Sequence, residues 1–319
     1  MVASRERIHQ MEIDFWRENM IHSNTAMADP FSKNYQITRT PHQAAPINSV
    51  FDETINLYRQ TLEYDWDSFD HTMNLIREKT SLTKVLHPSQ IQQFVNLTRA
   101  YEQHPGYSRT TGVFISGLVQ HAHNHNHNEF ELDCRDLKPL HYLMSRIDQK
   151  KSQHLHVIIR GTAGLYCVER VRGGTYFVEK AGNSLALNVR EAQIHAGEVG
   201  TKCGNLAMRG STFFVKRAEQ DSGLFSANVM FYMQQCDERV GFCAQDSSFF
   251  IGNVEDYQKS IKYLEKIKRE KMYSEENVVR VLLQEKYIST DFTPQEWQDH
   301  WQKSQAAFRK IDELFGERK

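Results

Sequence analysis

Phe51, Ile55, Tyr58 and Leu62 recur at helical spacing, and Met73, Leu75 and Ile76 resume the pattern after the polar stretch Asp65 to Asp70. They predict one long or two consecutive amphipathic helices whose stripes belong to a core. A further helix fits Pro88 to Tyr101, with Ser89 as its cap and Ile91, Phe94, Val95 and Leu97 inward. Leu137, Leu140, Leu143 and Met144 predict another over Asp136 to Ile147.

From His154 the period changes to two. Leu155, Val157 and Ile159 share one face of a strand, and His154, His156 and Ile158 the other. Leu165 to Val171 reads as more strand, Arg172-Gly173-Gly174 as a tight turn, and Thr175 to Glu179 as the return strand of a hairpin. Asn183 to Gly197 reads as helical. Phe213 to Met233 reads as a strand or loop feeding a buried helix whose first turn carries Ser222, where free N–H groups and the helix dipole favour developing negative charge. Tyr257, Ile261, Leu264 and Ile267 predict a basic helix over Val254 to Met272, and Pro294 opens a last amphipathic helix with Trp297, Trp301, Phe308, Ile311, Leu314 and Phe315.

With 319 residues the chain suffices for one large or two modest domains. A net charge of -1 gives no global case for nucleic acid or an anionic membrane, and no apolar run spans a bilayer. Five scattered cysteines, with no CxxC pair, suggest a reducing compartment. The alternating histidines of His121 to Asn128 have no acidic or cysteine partner at ligand spacing, so they read as a solvated loop and no metal site is assigned.

The segment Glu219-Gln220-Asp221-Ser222-Gly223-Leu224-Phe225-Ser226 resembles the nucleophile motif of the YopJ family of bacterial effector acetyltransferases, within the CE clan of cysteine proteases. The family pattern is an acidic residue, Cys, Gly, an aliphatic residue and Phe; Ser222 stands at the cysteine position, as an inactivating substitution would leave it. Read alone, the same residues also make an ordinary serine cap of a helix. The chain order His, Glu, Ser/Cys agrees with the clan, and the resemblance covers residues 151–235.

The resemblance implies a triad of His154 as base, Glu179 as its orienting carboxylate and position 222 as nucleophile. His156 is the alternative base. The interval from His154 to Glu179 exceeds the family's and requires a longer hairpin or a bulge around Arg160 to Gly164. Lys216 replaces the usual oxyanion glutamine, with Gln220 nearby.

The implied fold is an α/β (α+β) CE-clan cysteine-protease-like core with a mixed sheet, a helical N-terminal region and a helical C-terminal extension. Residues 1–48 would be a leader, 49–150 the helical region, 151–250 the core and 251–319 the regulatory extension. The implied activity moves an acetyl group from acetyl-CoA, through the cysteine normally at 222, to Ser, Thr or Lys of host proteins after export by a bacterium into the host cytoplasm. Inositol hexakisphosphate is the implied activator, and Lys259, Lys262, Lys266 and Arg269 on the basic helix are its candidate ligands. A ubiquitin-like protease is the alternative activity; a catalytically dead binding module, with Ser222 native, is the second alternative.

Overall fold

The computed structural model describes residues 49–316 except 67, 150–153, 238–239, 242–243, 253–255, 257, 260, 263–278 and 284–292. The leader expected over 1–48 lies outside the described residues. Four helices come first: α1 (Ser49–Leu62), α2 (Phe69–Ser81), α3 (Pro88–Thr98) and α4 (Tyr107–Asn124). The stripes of the first three are buried as the spacing predicts, with Ile55, Tyr58, Ile76, Ile91 and Phe94 inside, whereas α4 is not anticipated from the sequence. The α3 cap is His87 rather than Ser89: the Ser89 N–H donates to His87 Nδ1 at 3.3 Å, and the His87 N–H donates to Gln90 Oε1 at 2.8 Å.

Eight strands follow: β1 (Glu129–Asp133), β2 (His156–Ala163), β3 (Thr175–Ala181), β4 (Gln193–Val199), β5 (Thr212–Ala218), β6 (Met230–Cys236), β7 (Ser247–Ile251) and β8 (Val279–Leu283). They pair in chain order, and every pairing is parallel. Thr175, Gln193, Thr212, Met230 and Ser248 are successive partners, so each coil takes about 18 residues. The chain is α/β, and its sheet is one wall of a parallel solenoid.

This corrects several expectations. The sheet is parallel, not mixed, and β2 and β3 are successive coils, not a hairpin. Parallel neighbours need a crossover, which the turns between strands provide. No helix forms over Asp136 to Ile147, over Asn183 to Gly197 or after Ser222; these stretches contain turns and strands. The bulge anticipated near Arg160 is present as a register shift between Ile159 and Thr162.

The second wall explains why these segments escaped a pattern reading. Tyr166, Val168 and Arg170, Ser184, Ala186 and Asn188, and Asp221 and Phe225 all have positive φ, a region that non-glycine residues rarely occupy. Hydrogen bonds between coils hold them there: Ser184 N–H to Thr201 O at 2.8 Å, Ala186 N–H to Cys167 O at 2.8 Å and Asn188 N–H to Asn205 O at 2.9 Å. With both walls bonded to neighbouring coils, buried backbone groups find partners without a helix.

Side chains stack in rows along the solenoid axis. Val157, Tyr176, Ile194, Phe213, Phe231 and Phe249 share an inner register and are buried. One residue on, Ile158, Phe177, His195, Phe214, Tyr232 and Phe250 form the outer row. Helix α5 (Pro294–Phe315) packs Ala307, Phe308 and Ile311 on Phe214, Tyr232 and Phe250 of that row, forming a cluster separate from the main core. Its start is as the sequence predicts, capped by Thr293 and Glu296 with Pro294 in the first turn. At the other end, α3 closes the β1 edge: Gln92 Oε1 accepts the Asp133 N–H at 2.7 Å and Gln92 Nε2 donates to Asp133 O at 3.2 Å. One side-chain amide thus satisfies both backbone groups of Asp133 at the edge of the sheet.

Candidate functional site

The three residues expected to form a triad occupy different parts of the solenoid. His154, just before β2, shares a hydrogen bond between Nε2 and Thr175 Oγ1 at 2.8 Å. Glu179 lies four residues beyond Thr175 along β3, which is about 13 Å of extended chain. Its Oε2 accepts the Gly161 N–H at 2.7 Å, so the carboxylate fixes the β2 bulge rather than a histidine ring.

Ser222 lies on the turn wall, two coils further along. The Gly204 N–H donates to Leu185 O, the Gly223 N–H to Cys203 O and the Gly241 N–H to Ser222 O. Position 222 therefore repeats positions 185 and 203 and precedes Val240, three residues that belong to the apolar core. Ser222 is 0% exposed, and its hydroxyl donates to Glu219 O at 3.3 Å. It is not at a helix start, so the anticipated helix dipole is absent. The glycine of the motif has a packing reason: at Gly204 and Gly223, both with positive φ, a Cβ would stand 2.6 Å from Phe231 or Phe249.

Of the other candidates, Lys216 shares a groove with Glu179 at the ends of their strands. Lys216 pairs with Asp312 of α5. Lys259 stands 3.8 Å from Asp256, and Lys262 is exposed; Lys266 and Arg269 lie outside the described residues. His121 and His123 belong to α4, so the histidine stretch starts within a helix rather than a loop. Among the described residues no group of three or more His, Cys, Asp or Glu is arranged to hold a metal ion. Burial pushes the Cys134 and Cys203 thiols up to about 12, which leaves neither as a thiolate near neutral pH.

A groove of about 940 Å3 brings some expected residues together with others that the sequence did not single out. Its floor is the outer face of β1 and β2, and one side is the first turns of α3. His154, His156 and Ile158 line it with Asn128, Glu129 and Glu131. Glu129 and His156 are direct partners across the two strands. Burial lowers the His156 pKa, and the Glu129 carboxylate opposes that shift. Glu131 pairs with Arg160, whereas Glu129 is exposed and Asn128 Oδ1 is buried without a partner. The groove therefore offers hydrogen-bond acceptors beside two imidazoles and one apolar residue. The alternation at His154, His156 and Ile158 signals half of it; β1, which supplies the carboxylates, is brought alongside only by the coil.

A second groove, about 360 Å3, runs between the ends of β3 to β6 and the last turns of α5. Lys180, Glu198, Lys216 and Asp312 line it, already joined as the pairs Lys180–Glu198 and Lys216–Asp312. Among the described residues no helix is long and apolar enough to cross a membrane. No family model matches this chain, and no curated protein or solved structure does so either.

Proposed function

We propose that this chain is a non-catalytic binding protein, a short solenoid capped by helices that offers the β1–β2 groove to a cationic, donor-rich segment of a partner protein. The observation that carries the first half is the position of Ser222: fully buried and in register with Leu185 and Cys203. In this reading serine is the native residue and fills a rung of the coil. A nucleophile there would have no route to a cofactor, base or acceptor unless the coil opened.

Both enzymatic readings, acetyl transfer and ubiquitin-like proteolysis, need a CE-clan core with a histidine, a glutamate and position 222 in one cleft. Acetyl-CoA, inositol hexakisphosphate and delivery into a host cell belong to the acetyl-transfer reading. The groove supports the second half of the proposal, because the exposed Glu129 carboxylate presents acceptors and a cation with N–H donors complements it.

The decisive experiment restores cysteine. Ser222→Cys protein is incubated with labelled acetyl-CoA, with and without inositol hexakisphosphate, and separately with a ubiquitin-like electrophilic probe. The expected result is neither label nor probe on the protein; transfer in either arm overturns the non-catalytic reading. For the groove, lysine- and arginine-rich peptides are titrated while the imidazole resonances of His154 and His156 are followed. Cationic peptides should shift them, and Glu129→Gln should weaken the binding several-fold. An equal response to acidic peptides would reject the groove's assigned preference.

A further inference from the structure

The outer row contains one residue that does not match its neighbours. Phe177, Phe214, Tyr232 and Phe250 are aromatic, and between the first two sits His195, stacked at 4.4 Å on Phe177 and at 4.8 Å on Phe214. It is 7% exposed, and its Nδ1 is buried without a hydrogen-bond partner. A neutral imidazole fits such a slot as a flat apolar ring. An imidazolium brings a charge and a second N–H that must be desolvated there.

The groups acting on His195 do not compensate for that charge. They are His156, across β3 on β2, and Lys303 on α5. Lys303 Nζ also stands 5.9 Å over the Phe214 ring, and Lys310 adds positive charge near His156. The flanking strand residues are phenylalanines, so every charged or titratable partner named is a base.

On its outward side His195 faces α5, which lies along β3, β4 and β5 and brings Lys303 to bear on the ring. The inner row belongs to the main core, whereas Phe214, Tyr232 and Phe250 of the outer row form a separate cluster with Ala307, Phe308 and Ile311 of α5. Apart from that apolar contact, α5 is tied down by Tyr232 OH and His300 Nδ1 at 2.6 Å, by Lys216 with Asp312, and by Arg160 on the Leu314 carbonyl. A second imidazole, that of His300, is therefore carried by the helix itself.

We propose that α5 is an acid-released strap: protonation of His195 in the outer row detaches the helix and uncovers the aromatic row while the coils remain intact. This stands on the geometry of the row and does not depend on the groove or on Ser222.

Burial, then His156 and Lys303, lower the His195 pKa to about 4 from an ordinary 6.5. A depressed histidine pKa favours docking fully above 6.5, and that contribution is lost as pH falls toward 4. The docking equilibrium should therefore weaken between pH 7 and pH 5, by up to roughly 20-fold where release returns the ring to its ordinary value.

The test is hydrogen exchange of α5 backbone amides in the full chain from pH 7 to pH 5, corrected for intrinsic rates, with far-UV circular dichroism reporting on the coils. Protection of α5 should fall several-fold, by up to roughly 20-fold, while the circular dichroism stays constant. His195→Phe, which continues the row, should remove most of that fall. An unchanged profile in the variant, or protection in the wild type that does not vary with pH, overturns the proposal. An NMR titration of His195 needs no variant: a midpoint near 6.5 overturns it, and one well below supports it.

Discussion

The inner and outer aromatic rows are built from adjacent residues of the same strands, yet they are buried by different means. Phe213, Phe231 and Phe249 stack at 4.4 and 4.8 Å inside the coil, where winding alone removes them from water. Phe214, Tyr232 and Phe250 stack as closely, at 4.8 Å, on the outside, and depend on a helix that arrives much later in the chain. The difference teaches that similar stacking supports two kinds of stability. The inner row belongs to the unit that folds when the coils close, and the outer row to a docking equilibrium superimposed on it.

The strongest test of that distinction is Phe231→Ala, which opens a cavity touching two stacked neighbours. It should cost about 3–5 kcal/mol and lower the whole unfolding transition, measured by denaturant titration. Phe308→Ala removes the α5 ring that packs on the outer row. It should cost about 3 kcal/mol, but in the protection of α5 amides, with the coil transition nearly unchanged. Equal losses in both transitions would collapse the two rows into one cooperative unit.

A smaller effect concerns Glu169 on the turn wall, where one oxygen meets Arg170 Nε at 3.3 Å and the other is buried without a partner. Burial raises its pKa to about 7, against opposition from Arg170 and Arg146. A raised carboxyl pKa gives stability that is complete below about 4.5 and lost as pH rises through 7. Glu169→Gln should therefore be about 1–3 kcal/mol more stable than the parent at pH 8 and close to it at pH 4.5. The same preference at both pH values would show that ionisation is not the cause.

The smallest effect belongs to the residue that the sequence made most prominent. Ser222→Ala removes one long hydrogen bond from an apolar rung and should change stability by less than about 1 kcal/mol. A loss of several kcal/mol in thermal unfolding would mean that the hydroxyl does more in the coil than its single contact indicates.

Each residue of the motif has a place in the packing of the coil. Asp221 and Phe225 adopt left-handed backbone, Gly223 lets two phenylalanine rings approach, and Ser222 fills the core. Lys202-Cys203-Gly204-Asn205-Leu206 does the same one coil earlier, with Lys202 and Leu206 at positive φ. The repeat had a visible signature, because Phe213-Phe214, Phe231-Tyr232 and Phe249-Phe250 recur at about 18-residue intervals. Read segment by segment, those pairs look like unrelated apolar runs, and the coil that joins them goes unnoticed.

By itself the sequence determined the helices over Ser49–Leu62, Phe69–Ser81, Pro88–Thr98 and Pro294–Phe315, and the in/out alternation of β2, because each is a periodicity within one element. The direction of strand pairing, the left-handed turn wall, the burial of Ser222 and the meeting of Glu129 with His156 were decided only by tertiary structure. Each depends on hydrogen bonds between residues about one coil or more apart, and no local propensity encodes which coil a residue will lie against.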